Sequence, residues 1–547
     1  MFSHQDRSVS LQDNSSSPST YYDLSQDFLE RAPHLRFILL YILLAWGVYK
    51  CILYPRLFSP VRFLPQPKNG TYLGSHFLGR FQEPIAESYR QMMEDVPNEG
   101  IILLRDYFGF DQLLVTIPEA INDILVQKPY DFEKPHEMRS FSSRIIGTGL
   151  LTAESDIHKF QRKRVIPSFT LDNTRRLVPI SWNKALDMVR SMAKLTHPNP
   201  EFGYAMIDMN DWATCLTLDV IAIAALGRNL GIIQKPDNPL KNAYDEAFRE
   251  SPRKAAMFFL AYCRMEWIMD YFPWNLDSRD RAATLFLRKF CRDAIQDKRR
   301  SLHSTSATMD TKTPDLLSKL IASGTLTDDQ LVEQLLSILA AGHETVAATF
   351  SWSIYLLATH QSIQDRLRAE VRSSVDVTKM DIEDEKMAEL LRNLPLLNAV
   401  CAETIRIYPS VPLTPRVAVR DTSILDTFVP KNTSVMIAPG ALNRSSRLWG
   451  SVANKFTPDQ WINHDTETFN SHGCSKSTYS MSTFLHGKRG CIGSEYAKAE
   501  LRSMIAAMVC CFKMELQDPD EPVIPTGKIV ARPCAKNGTF TVKIEHV

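Results

Sequence analysis

The stretch FLHGKRGCIG, residues 484–493, frames one cysteine with glycines, an aromatic residue and an arginine, and SEYAKAELRSMIAAMVCCF follows it directly. Cys491 therefore stands just before a helix-forming run, where backbone N–H groups and the positive end of a helix dipole favour a thiolate. A thiolate there is a metal ligand. Gly487, Gly490 and Gly493 remove side chains around it and permit the tight turns that close approach of a flat cofactor requires. Arg489 offers a fixed cation to an anionic edge of such a cofactor. The other nine cysteines lack this frame and read as small buried hydrophobes.

Phe484, Gly487, Arg489, Cys491 and Gly493 together match Phe-x-x-Gly-x-Arg-x-Cys-x-Gly, and in this the chain resembles the cytochrome P-450 family. Five fixed residues match by chance in about one chain of this length in several thousand. The resemblance implies a mainly α fold with small peripheral β-sheets. It also implies haem b (iron protoporphyrin IX), with Cys491 as axial ligand of the iron and its thiolate donating electron density that favours O–O cleavage.

Upstream, residues 327–359 carry an apolar, helix-periodic pattern that opens on a capping box, Thr327 with Gln330, followed by Asp328 and Asp329. Such a helix is about 48 Å long, enough to cross a domain. Within it AGHET, residues 341–345, places polar groups on an apolar face. It is similar to the family's distal-helix motif: Ala341 and Gly342 would leave room for dioxygen, and Glu344 and Thr345 would form an acid and alcohol pair that relays protons. Taken alone, Glu344 also reads as a helix residue in a salt bridge.

Glu403 and Arg406 in CAETIRIYPS share a helix face at i, i+3. They resemble the family's Glu-x-x-Arg pair, which implies a buried ion pair that holds the core beneath the haem. Members commonly complete it with a basic residue from Phe-x-Pro-Glu-Arg; here Phe456, Thr457 and Pro458 lead to Asp459 and Gln460, which can hydrogen-bond but brings no charge. His158 and Arg162 stand at i, i+4 on another helix face. By resemblance they join Arg416 and Arg489 around the haem propionates, since buried carboxylates require paired cations.

Composition sets the class. Among 547 residues, 63 are basic and 62 acidic, which argues against a nucleic-acid partner. Ten cysteines without repeated spacing make neither a disulfide framework nor a zinc module. Residues 1–36 are polar and read as a short lumenal tail. Residues 37–54, FILLYILLAWGVYKCILY, are long and apolar enough to span a bilayer. Residues 55–68 carry Pro55, Pro60, Pro65 and Pro67 and read as a stiff hinge; residues 69–547 form the catalytic domain. Lys50, Arg56, Arg62 and Lys68 follow the span, so the positive-inside bias puts that domain in the cytosol, anchored in the endoplasmic reticulum by a single pass. Glycosylation-type triplets occur at Asn14, Asn69, Asn432, Asn443 and Asn537, of which only Asn14 would face the lumen.

The chain shows no dinucleotide fingerprint, so the expected electron source is NADPH through a separate reductase, with cytochrome b5 as a second donor. Lys488, Lys498 and Arg502 could form the docking face, or simply a solvated helix face. The expected pocket lining is a loop at 138–150, helix residues 338–345, a strand at 411–417 and the segment 527–530, mostly apolar and suited to a lipophilic small molecule. The wording FLHGxRxCIG and AGHET is similar to fungal microsomal members. That resemblance implies a monooxygenase of secondary metabolism acting on terpenoid or polyketide intermediates, with fatty-acid hydroxylation behind it. An oxygen-independent isomerase or dehydratase is disfavoured by Glu344 and Thr345, and a haem sensor or electron carrier by the long helix with its oxygen-sized gap.

Overall fold

The computed structural model describes residues 37–38, 40–68, 82–106, 110–196, 203–249, 251–262, 278–303, 315–375, 386–463, 465–527 and 529–547. The tail 1–36, the triplets at Asn14 and Asn69, and most of the Ser/Thr stretch 301–315 lie outside them. Seven helices build the site: α1 (His136–Ile146), α2 (Ser155–Val165), α3 (Leu171–Thr196), α4 (Met209–Leu226), α5 (Asp328–Thr359), α6 (Pro395–Ile407) and α7 (Ser494–Cys511).

Helix α5 starts where its capping box says it should. Gln330 N–H donates to Thr327 Oγ1 at 3.3 Å and Thr327 N–H to Gln330 Oε1 at 3.0 Å. Helix α4 begins on Asp208, which accepts from Asn210 N–H, and ends on Gly227 at φ 68°, a left-handed cap that costs glycine little. Among the described residues α4 alone has the length and apolarity of a membrane span, yet 78% of it is buried, because it packs along α5 inside the protein. Helices α3 and α7 pack on each other in the same helical core, which includes Leu216, Leu335, Phe350 and Met508.

A second core lies under a five-stranded sheet whose spatial order is Ile101–Arg105, Asp111–Val115, Ser434–Ile437, Thr414–Ala418, Phe132–Glu133. Its one parallel pair joins Asp111–Val115 to Ser434–Ile437; the others are antiparallel. Ile102, Leu113, Val435 and Ile437 are fully buried there. A three-stranded sheet of Phe512–Leu516, Thr541–His546 and Tyr204–Asp208 closes the C-terminal end. The expected mainly α architecture with small sheets is what the chain adopts.

One local expectation is corrected. Residues 138–150 are not a loop: α1 covers most of them, because no glycine or proline interrupts 136–146, and Gly147 at φ 74° ends the helix. The proline-rich stretch is held by contacts as well as by its prolines. The helix runs through Pro55 as a π-helical turn, Tyr49–Phe58, Ser59 Oγ donates to Asp111 Oδ2 at 2.6 Å, and Leu103 N–H donates to Pro65 O at 2.8 Å. These contacts dock residues 55–65 on the sheet edge.

Candidate active site

The cysteine loop is held by its own backbone. Cys491 N–H donates to Phe484 O at 2.8 Å, and Gly490 N–H to Gly487 O at 3.1 Å. Gly487 sits at φ 63°, where a Cβ would come within 2.6 Å of Leu125 O. Its absent side chain is therefore required by the neighbouring backbone, whatever a cofactor adds. Gly493 differs: a Cβ there would make only ordinary contacts, at 3.9 Å from Phe169 and 4.0 Å from Cys491 Sγ. Gly493 is the N-cap of α7, and the ring of Phe484 lies under Lys498 Nζ at 5.5 Å.

Cys491 has accessible surface on one side, yet protein packs closely around its thiol. Burial pushes the thiol up; the Gly493 N–H, Arg162 and Lys498 pull it down without winning. The helix N-terminus alone thus does not give a thiolate. A coordinated metal cation would, because it removes the proton outright.

One turn of chain away, a cluster of cations converges. Arg162 Nη1 donates to Gly490 O at 2.9 Å, joining α2 to the cysteine loop. Arg489 Nε donates to Pro129 O at 3.0 Å and its guanidinium stacks 4.7 Å from the Tyr130 ring. Arg416 is buried and held by Thr414 Oγ1 and Pro415 O at 2.7 and 2.8 Å. His158 is buried and shares a 3.4 Å contact with Tyr130 Oη; burial, then Arg489, Lys134, Arg162 and Arg416, push it down to about 3, so it is neutral. Burial and like charges likewise bring Lys134 down to about 8, while Glu154 holds it up, and burial brings Arg416 down to about 10. The one carboxylate inside the cluster is Glu154, ion-paired with Arg489 and with Lys134. Glu154 meets Arg489 Nη2, but Arg489 Nη1 is buried without a hydrogen-bond acceptor.

On α5, Ala341 is exposed in the middle of a core helix, and Thr345 Oγ1 donates to Ala341 O at 2.7 Å. Glu344 is half-buried and lies 3.5 Å from Arg532, which also donates to Thr214 Oγ1 at 3.3 Å. The salt-bridge reading of Glu344 is therefore present in the structure. Gly342 is explained by packing, since a Cβ would meet Ile221 Cδ1 of α4 at 2.7 Å. Ile221 packs against Gly342, and the most open position of the motif is Ala341. His343 turns away from this face, stacks edge-on against Tyr244 at 4.9 Å and bonds Leu339 O through Nδ1 at 2.7 Å.

The family model for cytochrome P-450 matches residues 64–537. The chain belongs to the cytochrome P-450 family. It is 35% identical to the cytochrome P-450 monooxygenase ptmK of Penicillium ochrochloron, over 89% of this chain and 94% of that one. It is 33% identical to the cytochrome P-450 monooxygenase sphH of Aspergillus fumigatus, over 87% of each. The protein is thus a P-450 monooxygenase, an oxidoreductase that incorporates oxygen, and the family implies haem iron and dioxygen.

The residues present fit a haem. The cluster sets four cations, Lys134, Arg162, Arg416 and Arg489, against one carboxylate, and leaves Arg489 with unfilled donors, which suits a buried dianion. Cys491 offers the single thiolate that haem iron takes in this family.

Beneath this site the P-450 scaffold closes on itself. Glu403 and Arg406 are fully buried and joined by two 2.8 Å bonds. Arg406 also donates to the carbonyls of Asn443, Ala453, Val452 and Lys455 at 2.8–3.2 Å. Glu403 accepts from Thr457 N–H at 2.9 Å, Gln460 Nε2 at 2.9 Å and Trp461 Nε1 at 2.8 Å. Gln460 therefore occupies the third partner's place as a neutral donor, and Asp459 turns outward to Arg366 at 2.6 Å. Asn443 is fully buried in the same network, so its triplet is no glycan acceptor, and its Nδ2 donates to Thr483 Oγ1 at 2.7 Å.

Sequence motifs missed Lys134, Tyr130, Glu154 and Arg532. The only local signal was for Glu154, an acid one helical turn before His158. The suggested docking face is also reduced: Arg502 is largely buried and donates to Asn398 Oδ1 at 3.0 Å, Lys498 pairs with Glu495 at 2.9 Å, and Lys488 is exposed.

Proposed function

We propose that this P-450 is a haem-thiolate monooxygenase that inserts one oxygen atom of O2 into a lipophilic substrate, by hydroxylation or epoxidation. The observation that carries this is the junction of the accessible Cys491 with the unsaturated cation cluster through Arg162 and Gly490. Cys491 would ligate the iron, and His158, Arg162, Arg416 and Arg489, with Lys134, would receive the propionates. Haem bound there supplies dioxygen activation, one atom entering a C–H or C=C bond and the other leaving as water, with two electrons from NADPH through a separate reductase and two protons from solvent.

The chain's own part is proton handling and exclusion of water. Thr345 keeps its hydroxyl proton on Ala341 O and so presents its oxygen as an acceptor beside the exposed Ala341. Glu344 reaches solvent and can pass protons toward that hydroxyl when it leaves Arg532. Helix α1, residues 338–345, the strand Thr414–Ala418 and the turn around Gly527 and Val530 would line an apolar pocket. We read the substrate as a terpenoid or polyketide intermediate of secondary metabolism ahead of a fatty acid, on the resemblance of FLHGxRxCIG and AGHET to fungal microsomal members.

An N-terminal anchor in the endoplasmic reticulum membrane belongs to this reading. Residues 40–48 are helical and continue into Tyr49–Phe58, and Leu40, Tyr41, Ile42, Leu43, Leu44 and Trp46 are all exposed, as a lipid-facing helix requires. The test is expression with a P-450 reductase and NADPH, with product analysis of lipophilic candidates. The Cys491→Ala variant should lose the thiolate-type spectrum of the reduced carbon monoxide complex. An unchanged spectrum in that variant rejects Cys491 as the ligand.

A further inference from the structure

Glu154 is a carboxylate where a propionate site would seem to want none. It is 6% exposed. Oε1 accepts from the Lys134 N–H at 3.1 Å and from Lys134 Nζ at 3.2 Å, while Oε2 meets Arg489 Nη2, with both side chains 3% exposed. Glu154 stands at the N-cap of α2, yet its side chain makes no capping hydrogen bond. The side chains that accept from the first turn of their own helix are the short ones, Ser, Thr, Asp and Asn, and the longer Glu154 is free of that duty. Here it turns inward instead, and the chain enters α2 through Ser155 at φ 49°, a left-handed conformation that a serine adopts at a cost.

The neighbouring acids are engaged elsewhere. Glu133 accepts from Ser155 Oγ and lies 3.7 Å from Arg139. Asp131 accepts from Thr422 Oγ1 at 3.0 Å and pairs with Arg420 at 3.4 Å. Glu154 is thus the carboxylate that offsets Lys134, Arg162, Arg416 and Arg489.

We infer that Glu154 is an internal counter-ion of the propionate cage, a positioning residue that holds Lys134 and Arg489 in register for the haem and tunes its electron affinity. This rests on the haem reading of the site. Without a carboxylate, the four cations would repel one another across a small buried space. With it, the chain sets the two basic side chains before any propionate reaches them. Reduction of haem iron adds one electron, and a fixed negative charge nearby opposes that addition. Removing the charge while keeping the shape therefore favours the ferrous form.

The experiment measures the ferric–ferrous midpoint of the haem-loaded full chain by spectroelectrochemistry, beside haem content per chain, in wild type, Glu154→Gln and Glu154→Asp. Glu154→Gln should shift the redox equilibrium toward ferrous by about tenfold, the size of one partly screened charge interaction. Glu154→Asp, which keeps the charge, should stay within about threefold of wild type. Loss of haem from Glu154→Gln with retention in Glu154→Asp supports the same role. Glu154→Gln with full haem and an unmoved midpoint overturns it, as do equal shifts or equal haem loss in both variants, which would mark a packing role. A wild-type chain that takes up no haem refutes the proposed function itself, whatever the variants do.

Discussion

Replacing Arg406 by lysine keeps the charge and changes the donor geometry, which isolates what the buried network demands. The guanidinium serves six acceptor contacts: both oxygens of Glu403 and the carbonyls of Asn443, Val452, Ala453 and Lys455. An ammonium has three donors on a longer, unforked stem, so at least three acceptors lose their partner. The bonds to Glu403, Asn443 and Ala453 are buried, where water does not replace them, and those to Val452 and Lys455 are part-buried. At about 1–3 kcal/mol for each unsatisfied buried group, weighted to the low end because carbonyls keep a second lone pair, the loss is about 3–6 kcal/mol. A fold is stable by only about 5–15 kcal/mol, so Arg406→Lys should be obtained in low yield, with a thermal midpoint several degrees lower. Gln460→Ala is the graded control: it removes one donor to Glu403 and leaves three, for a cost of about 1.5–3 kcal/mol. Denaturant titration of both variants ranks them. If Arg406→Lys were within 1 kcal/mol of wild type, or no worse than Gln460→Ala, the argument from donor count would be wrong.

Gly487→Ala should destabilise by about 2 kcal/mol or more, since it combines a left-handed backbone with a Cβ pressed on Leu125 O; a melting curve that overlays wild type contradicts this. Burial holds the Glu500 carboxyl well above the usual carboxylate range, so the folded chain keeps a proton that the unfolded chain gives up near pH 4.5. Its contribution is complete below that pH and falls as pH rises, by about 1.4 kcal/mol per unit until the folded carboxyl titrates. Glu500→Gln should therefore gain on wild type steadily above pH 4.5, and parallel stability curves would show that Glu500 ionises in the fold. Thr345→Ala should retain haem but divert electrons to hydrogen peroxide; full coupling of NADPH to product in that variant would remove Thr345 from the proton path.

Much of this was readable before the fold was seen, and the reasons differ by element. The capping box of α5 was legible because its two hydrogen bonds are local, between residues three apart. The Glu403 and Arg406 pair was legible for the same reason, but its four carbonyl acceptors come from 37 to 49 residues downstream and leave no side-chain signature. Gly342 and Gly487 were conspicuous as glycines, but the packing that forbids a Cβ there was not legible, because its atoms belong to Ile221 and Leu125, far off in sequence. Lys134 and Glu154 were invisible for a related reason. A single lysine before a proline and a single acid at a helix start are common, and only the fold brings them against Arg489.

The two buried ionic networks differ in a way that follows from these contacts. Around Glu403 every donor of Arg406 is matched and both carboxylate oxygens are filled, so that network is complete as the chain alone makes it. Around Glu154 the cations outnumber the acid, and Arg489 keeps buried N–H groups without acceptors. Buried donors left in that condition cost about 1–3 kcal/mol each, and a dianion that filled them would return this cost as binding free energy. Since only the second network gains, haem binding should tighten α2 and the cysteine loop, joined at Arg162 and Gly490, while α6 and the segment from Asn443 to Trp461 stay as they are. The closed network fixes where the cysteine loop can stand, and the open one makes the cofactor part of the fold's own hydrogen-bonding.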